Sequence, residues 1–235
     1  MNEMVTNSSR PVSSLKRSDI DDDGFAISAS LLSEGEQRAL INAVGQIQGA
    51  GRRGVLCVAE VARFAHSKTL LQTVEGYTSA QVLPVRATYF DKSPEANWLV
   101  SWHQDLTLAV RGKIEVPGFG PWSIKNGVPH VQAPVEILEQ MLAVRVHLDN
   151  CDESNGALRV LPGTHRLGRL SPERIRQLRV EVPEKVCCLL AGDALVMRPL
   201  LLHASGKSGA VGHRRVLHIE YASPELPGGL RWREE

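Results

Sequence analysis

Hydrophobic and polar positions change their period along this chain. Over 31–44, Leu31, Leu32, Leu40, Ile41 and Val44 recur at helical spacing, and Ser33 and Glu36 stand at capping-box spacing. The segment predicts an amphipathic helix lying on the outside of a sheet. A weaker helical stretch follows over 58–73. From about residue 81 the pattern shortens into strand-like segments at 82–90, 99–102, 142–149, 157–161, 186–190, 194–197 and 214–221. Turn chemistry separates them, with Ser154-Asn-Gly156, Pro162-Gly163, Ala191-Gly-Asp193 and Ser205-Gly-Lys-Ser-Gly209. No strand-helix-strand alternation links the segments as a parallel sheet requires. The fold expected is therefore mainly β, an antiparallel jelly roll with the N-terminal helices packed outside it.

Length changes this picture little. At 235 residues the chain suits one domain, expected over 19–235, preceded by a flexible tail over 1–18 in which apolar side chains are sparse. Its 27 basic and 26 acidic residues nearly cancel, so no net field favours a nucleic-acid backbone or an anionic membrane. A small molecule is the expected partner, for a monomer or homodimer. No apolar run reaches the roughly 20 residues of a membrane span, and residues 1–23 lack the apolar stretch of a secretory signal, so a cytoplasmic protein is expected. The four cysteines form no metal or disulfide spacing, and Cys187 and Cys188 are expected to be reduced thiols in a buried strand. The segment 111–140, rich in Pro and Gly, reads as a long structured loop acting as a lid, with Trp122 and His130 as candidate substrate contacts.

Candidate chemistry sits among the eight histidines. In Ser101-Trp-His-Gln-Asp105, extended backbone puts His103 and Asp105 on one side, because strand side chains alternate with period two. A third, distant His would complete two-His, one-carboxylate ligation, which binds Fe(II) and leaves coordination positions open. Elsewhere, His147 reads as a pocket or core residue, His165 as structural, and His66 and His213 as surface residues; His218 should face inward together with Arg214.

Farther along lie Leu200-Leu-Leu-His-Ala-Ser-Gly206 and Arg214-Arg-Val-Leu-His-Ile-Glu-Tyr221, with Arg214 eleven residues after His203. His103, Asp105, His203 and Arg214, together with Asn155-Gly-Ala-Leu-Arg-Val-Leu-Pro-Gly-Thr-His165, resemble the signature of the phytanoyl-CoA dioxygenase family, which includes ectoine hydroxylase. The likeness runs from Asp23-Gly-Phe25 to Tyr221. It implies a double-stranded β-helix, cupin-like core and an Fe(II)- and 2-oxoglutarate-dependent oxygenase using O2 to hydroxylate an unactivated C–H bond of a small molecule. It further implies His103, Asp105 and His203 as metal ligands and catalytic centre, with Arg214 and Ser205 on the far carboxylate of 2-oxoglutarate. Arg86, seventeen residues before His103, stands where ectoine hydroxylase has a glutamine that binds the co-substrate. The chain departs from the family at Ala204-Ser-Gly-Lys-Ser208, where an asparagine is usual. Two other readings stay open: a cupin-like metal enzyme that does not use 2-oxoglutarate, and a ligand-binding barrel without catalysis. Neither the substrate nor the choice among hydroxylation, desaturation and cyclisation follows from the sequence.

Overall fold

The computed structural model describes residues 17–234, and the first element among them is a helix that includes Arg17. Of the tail expected over 1–18, residues 1–16 lie outside the described ones, whereas Arg17 and Ser18 already belong to helix α1 (Arg17–Asp22). That helix is anchored by Ile20, which is fully buried. Helix α2 (Glu34–Val44) starts later than the apolar pattern suggested, because the backbone N–H groups of Leu31 and Leu32 bond to the Gly192 carbonyl instead. The capping box is present: Glu36 N–H donates to Ser33 Oγ, and Ser33 N–H donates to the Glu36 carboxylate. The second helical stretch divides into α3 (Ala59–Ala65) and α4 (Lys68–Glu75), since Ser67 Oγ accepts from Leu70 N–H and caps a new helix.

The strands form three sheets, and every pairing between named strands is antiparallel. The large sheet contains β1 (Phe25–Ser28), β2 (Gly51–Arg53), β3 (Leu83–Lys92), β8 (Leu142–His147), β11 (Ala194–Met197) and β13 (Arg214–Ala222) in the order β1-β11-β8-β13-β3-β2. The small sheet has β4 (Val100–His103), β9 (Leu158–Val160), β10 (Lys185–Cys187) and β12 (His203–Ser205) in the order β10-β9-β12-β4. Beside them, β5 (Thr107–Ala109), β6 (Trp122–Lys125) and β7 (Val128–Gln132) form the third, in the order β5-β7-β6. Two further helices are α5 (Val135–Glu139) and α6 (Pro172–Glu181). This is the mainly β jelly roll with flanking helices that the pattern predicts.

Alternation along β13 decides which side of the large sheet is dry. Leu217, Ile219 and Tyr221 join Val144, Val146 and Val196 in one cluster with Leu40, Val44, Val61 and Leu70 of the helices. Each such aliphatic side chain stabilises the fold by about 1.5–3 kcal/mol when removed from water. The buried Tyr221 hydroxyl donates to the Ala65 carbonyl at 2.8 Å, which ties the sheet to α3. The opposite face of β13 carries Arg214, Val216, His218 and Glu220 and looks into the jelly roll, opposite the small sheet.

Two expectations are corrected. The 111–140 segment is not one long loop, because its centre is the β6–β7 hairpin, followed by α5. The turn is Asn126-Gly127, both at positive φ (51° and 74°), the backbone that a two-residue hairpin turn requires. Cys187 is buried, but Cys188 is exposed, as strand alternation dictates for consecutive residues.

Candidate metal centre and its cavity

The small sheet brings three ligand-bearing residues together. His103 ends β4, His203 begins β12, and the antiparallel register sets them opposite one another. Asp105 follows two residues after His103, held by its N–H donating to the Pro199 carbonyl at 2.9 Å. His103 Nε2 lies 3.7 Å from one Asp105 oxygen, and His203 Nε2 lies 3.6 Å from the other. One ligand atom from each of the three residues lies within 4.8 Å of the others.

Tautomers follow from neighbours that can only accept. His103 Nδ1 sits 2.9 Å from the Ser101 carbonyl, and His203 Nδ1 sits 2.8 Å from the Leu201 carbonyl. A carbonyl cannot donate, so each Nδ1 carries the proton and each Nε2 presents its lone pair to the centre. Burial lowers the His203 pKa to about 4 despite the pull of Asp105, so that ring is neutral at ordinary pH. Burial alone would raise the Asp105 pKa, but His203, His218, His103 and Arg86 outweigh it and hold the carboxyl ionised. Two imidazoles with Nε2 turned to the centre and a carboxylate suit a divalent first-row metal.

Gln104, between the two ligands of the short motif, was not singled out from the sequence. Its side-chain NH2 donates to the carbonyls of Gly168 (2.9 Å) and Leu200 (2.7 Å), and its oxygen accepts from Leu170 N–H at 2.9 Å. The amide thus clamps β4 to the segments on either side and fixes where Asp105 emerges. Gln104→Leu leaves these buried groups unpaired, and we expect a loss of about 1–3 kcal/mol in urea unfolding together with weaker metal binding.

The ligands open onto a cavity of about 470 Å³ whose floor is the inner face of the large sheet. Cross-strand register arranges that floor in rungs: Lys92 opposite Arg214, Phe90 opposite Val216 and His147, Thr88 opposite His218 and Arg145, and Arg86 opposite Glu220. At one end lie Lys92 and Arg214, joined from β8 by Arg145, all three buried and none in an ion pair with a carboxylate among the described residues. Lys92 Nζ donates to Ser205 Oγ at 2.7 Å and to the Gly206 carbonyl, and Ser205 Oγ donates to the Gly156 carbonyl at 2.9 Å. Gly156, at φ +78°, lets this loop approach closely: a Cβ there would meet the Gly206 oxygen at 2.6 Å. Burial, then Arg214 and Arg145, lower the Lys92 pKa to about 7. Like charges directly opposite in a sheet repel. A buried cluster of this kind is matched by an anion, and the Nε atoms of both Arg145 and Arg214 lack a partner.

Arg86 lies at the other end. It pairs with Glu220 and donates to the Thr107 carbonyl at 3.1 Å. Three rungs separate it from Arg214, roughly 20 Å along the backbone at about 3.3 Å per residue. The structure therefore groups Arg214 with Ser205 as expected, adds Lys92 and Arg145, and sets Arg86 apart from them. Between the ends runs a polar chain. Arg145 Nη1 lies 3.1 Å from His218 Nδ1, which must accept because a guanidinium only donates; His218 Nε2 then faces Glu220 at 3.4 Å.

His130 lines the cavity, whereas Trp122 does not. Trp122 packs against the cluster around Trp232, with the Lys113 ammonium 5.8 Å from its ring centre, so the structure does not bring it to the cavity with His130. His218 lines the cavity, and His147, on the same face of the sheet, is buried beneath it without lining it. His66 and His213 are exposed, His213 pairing with Asp91. His165 packs against Gly24. Among the described residues no helix is long and apolar enough to cross a membrane.

The model of the phytanoyl-CoA dioxygenase family matches residues 20–216. Among curated proteins, the chain is 23% identical over 183 residues to peroxisomal phytanoyl-CoA dioxygenase of Rattus norvegicus, a match covering 71% of this chain and 47% of the relative. The bovine (Bos taurus) protein of that name is likewise 23% identical, over 69% of this chain and 46% of the relative. The chain thus spans about half the length of the curated relatives it matches. Among solved structures, EctD from S. alaskensis superposes with a TM-score of 0.68 at 16% identity, covering 93% of this chain and 83% of that one. SnoN, a non-heme alpha ketoglutarate dependent epimerase from nogalamycin biosynthesis, gives 0.68 at 16% identity over 91% and 86% of the two chains. SnoK, a carbocyclase from the same biosynthesis, gives 0.69 at 14% over 93% and 85%. With its jelly roll, its facing His103 and His203 and the family model spanning most of its length, the chain belongs to the phytanoyl-CoA dioxygenase family.

Proposed function

We propose that this protein is an Fe(II)- and 2-oxoglutarate-dependent oxygenase that oxidises a C–H bond of a small molecule, hydroxylation being the simplest outcome. The observation that carries the reading is the pairing of two features in one cavity: a two-His, one-carboxylate cluster and, beside it, a buried cationic end with no carboxylate of its own. His103, Asp105 and His203 would hold the metal. Arg214, Lys92 and Ser205 would take the far carboxylate of 2-oxoglutarate, Arg214 because its planar fork matches a carboxylate. When bound, the metal and co-substrate supply oxidising power from O2, with succinate and CO2 released.

The chain's own contribution is positional and electrostatic. Nδ1–H bonds to backbone carbonyls fix both imidazoles before any ligand arrives, and Gln104 fixes the stretch that bears the carboxylate. The third sheet contributes Lys125, His130 and Gln132 to the cavity wall on the side of Arg86. A cupin-like enzyme without 2-oxoglutarate, or a barrel that only binds, has no use for three buried cations beside a metal cluster. The epimerase and carbocyclase named among the structural neighbours support keeping the oxidation outcome broad. Anaerobic equilibrium dialysis with Fe(II) and 2-oxoglutarate, followed by succinate assay on admitting oxygen, tests the reading. Failure of 2-oxoglutarate to bind the metal-loaded protein would sink it.

Lys92 gives a pH dependence. A bound dianion favours the charged ammonium, so Lys92 takes up a proton on binding when it starts neutral. Because its pKa in the free protein is lowered to about 7, 2-oxoglutarate binds best below that value and more weakly as pH rises through it. Calorimetric titrations from pH 6 to 8.5 should show this fall, and Lys92→Met should flatten it while lowering affinity at pH 6. An unchanged slope in that variant would place the titrating group elsewhere.

A further inference from the structure

A second cavity, of about 520 Å³, adjoins the metal cavity and shares with it a wall made of Arg53, Arg86, Lys125 and His130. The four come from separate elements: Arg53 from edge strand β2, Arg86 from β3, Lys125 from the end of β6 at the hairpin turn, and His130 from β7. Arg86 is neutralised by Glu220. Arg53 and Lys125 make no ion pair among the described residues, and Lys125 Nζ has only the Thr107 hydroxyl, at 3.3 Å. The carboxylate of Glu234, which also borders this chamber, is turned to the backbone N–H groups of Leu56 (3.2 Å) and Ala87 (3.3 Å). Burial, with Arg86, Lys125 and Arg53 nearby, lowers the His130 pKa, so that ring adds no charge of its own. The remaining wall carries the apolar Leu56, Ala109 and Val128 beside the polar Asn126 and a further cation, Arg233.

A chamber with an apolar patch at Leu56, Ala109 and Val128 and two unopposed cations at its junction with the metal cavity selects for a particular shape of molecule. Converging charges of one sign at a cleft with apolar walls concentrate the opposite charge there. We infer that this chamber receives the distal part of the substrate, an apolar body bearing a carboxylate or phosphate that Arg53 and Lys125 grip, while the carbon to be oxidised lies toward His103 and His203. The site is distinct from the cationic end around Arg214, which lies beyond the opposite end of the sheet floor. The inference rests on the oxygenase reading for the identity of the reacting end, but the anion site is testable without turnover.

The test uses full-length protein loaded with Zn(II) and saturated with 2-oxoglutarate, so that the Arg214 end is already filled. Hexanoate, hexyl phosphate and hexanol are titrated separately by calorimetry, into wild type and into the Arg53→Gln, Lys125→Gln double variant. The expected result is that an acid binds and the alcohol does not, with about a tenfold or greater loss of acid affinity in the variant, as removal of charge-assisted bonds entails. The tighter of the two acids identifies the anion. Hexanol binding as well as the acids, acid affinity unchanged in the variant, or no acid binding at millimolar concentration would each overturn the inference. Both substituted side chains are exposed, and an unaltered 2-oxoglutarate affinity in the variant verifies that its fold is intact. The 2-oxoglutarate titration reports separately on the oxygenase reading: its failure would overturn that reading, whereas the acid titrations alone decide the second chamber.

Discussion

His203→Ala is expected to abolish tight metal binding and reduce 2-oxoglutarate turnover to background, with His103→Ala and Asp105→Ala doing the same. Each removes one of three protein donors whose ligand atoms already lie within 4.8 Å of one another. Loss of a partner that merely orients a ligand costs ten- to a hundredfold in metal affinity, so loss of a ligand itself should exceed about a hundredfold. The fold should survive. Among the described residues the His203 side chain makes one hydrogen bond, to the Leu201 carbonyl, and the sheet pairing around it is carried by backbone groups. Metal content after equilibrium dialysis and circular-dichroism melts of the same samples separate the two effects. Metal retained at wild-type affinity in any of the three variants would remove that residue from the centre, and a collapsed melt would assign it to folding.

Arg214→Gln should weaken 2-oxoglutarate binding by roughly tenfold to over a hundredfold, corresponding to about 1.5–3 kcal/mol for a charge-assisted hydrogen bond. Arg215→Gln should leave it nearly unchanged. Adjacent on β13, the two side chains point to opposite sides of the sheet. Arg214 is buried against the cavity, whereas Arg215 donates from Nε (2.7 Å) and Nη2 (2.6 Å) to Asp149, away from it. A loss in Arg215→Gln therefore belongs to stability and should appear in urea unfolding rather than in the binding isotherm. Anaerobic titration of both metal-loaded variants is decisive, and a larger affinity loss for Arg215 would remove Arg214 from the anion site.

The difference between these two arginines was legible before the structure was known, since period-two alternation places Leu217, Ile219 and Tyr221 with Arg215 and packs that set against helices. The triad was legible in part from the residues, since His103 and Asp105 are neighbours in sequence, whereas His203 followed only from the resemblance to the family, in which an arginine stands at the offset of Arg214. What could not be read was anything that depends on which strands lie side by side. Lys92 meets Arg214 only because β3 pairs with β13, and Arg145 joins them only through β8. Neither residue carries a local motif. Arg86 was grouped with the co-substrate by its distance from His103 in the chain, yet strand register sets it opposite Glu220. The hairpin over 122–132 had a signal that went unused: Asn126-Gly127 is the commonest two-residue turn, but Pro129 and the surrounding Pro-rich stretch masked it. That turn also sets the pleat of the hairpin: Trp122, paired with Val131, turns its ring toward the core around Trp232, while His130 and Gln132 on either side of Val131 face the cavity.

The hairpin of β6 and β7 belongs to neither of the two sheets that hold the metal ligands and the cationic end, yet it contributes Lys125, His130 and Gln132 to the cavity wall. Its hydrogen bonding to the rest of the strands runs through β5 alone. On the proposed function, the metal centre and this part of the cavity wall are therefore mounted on separable parts. A graft that exchanges the hairpin tip, keeping Val131 in the core and the two-residue turn, should alter which molecules are accepted without rebuilding the metal centre. For a protein engineer, this is the segment at which to diversify.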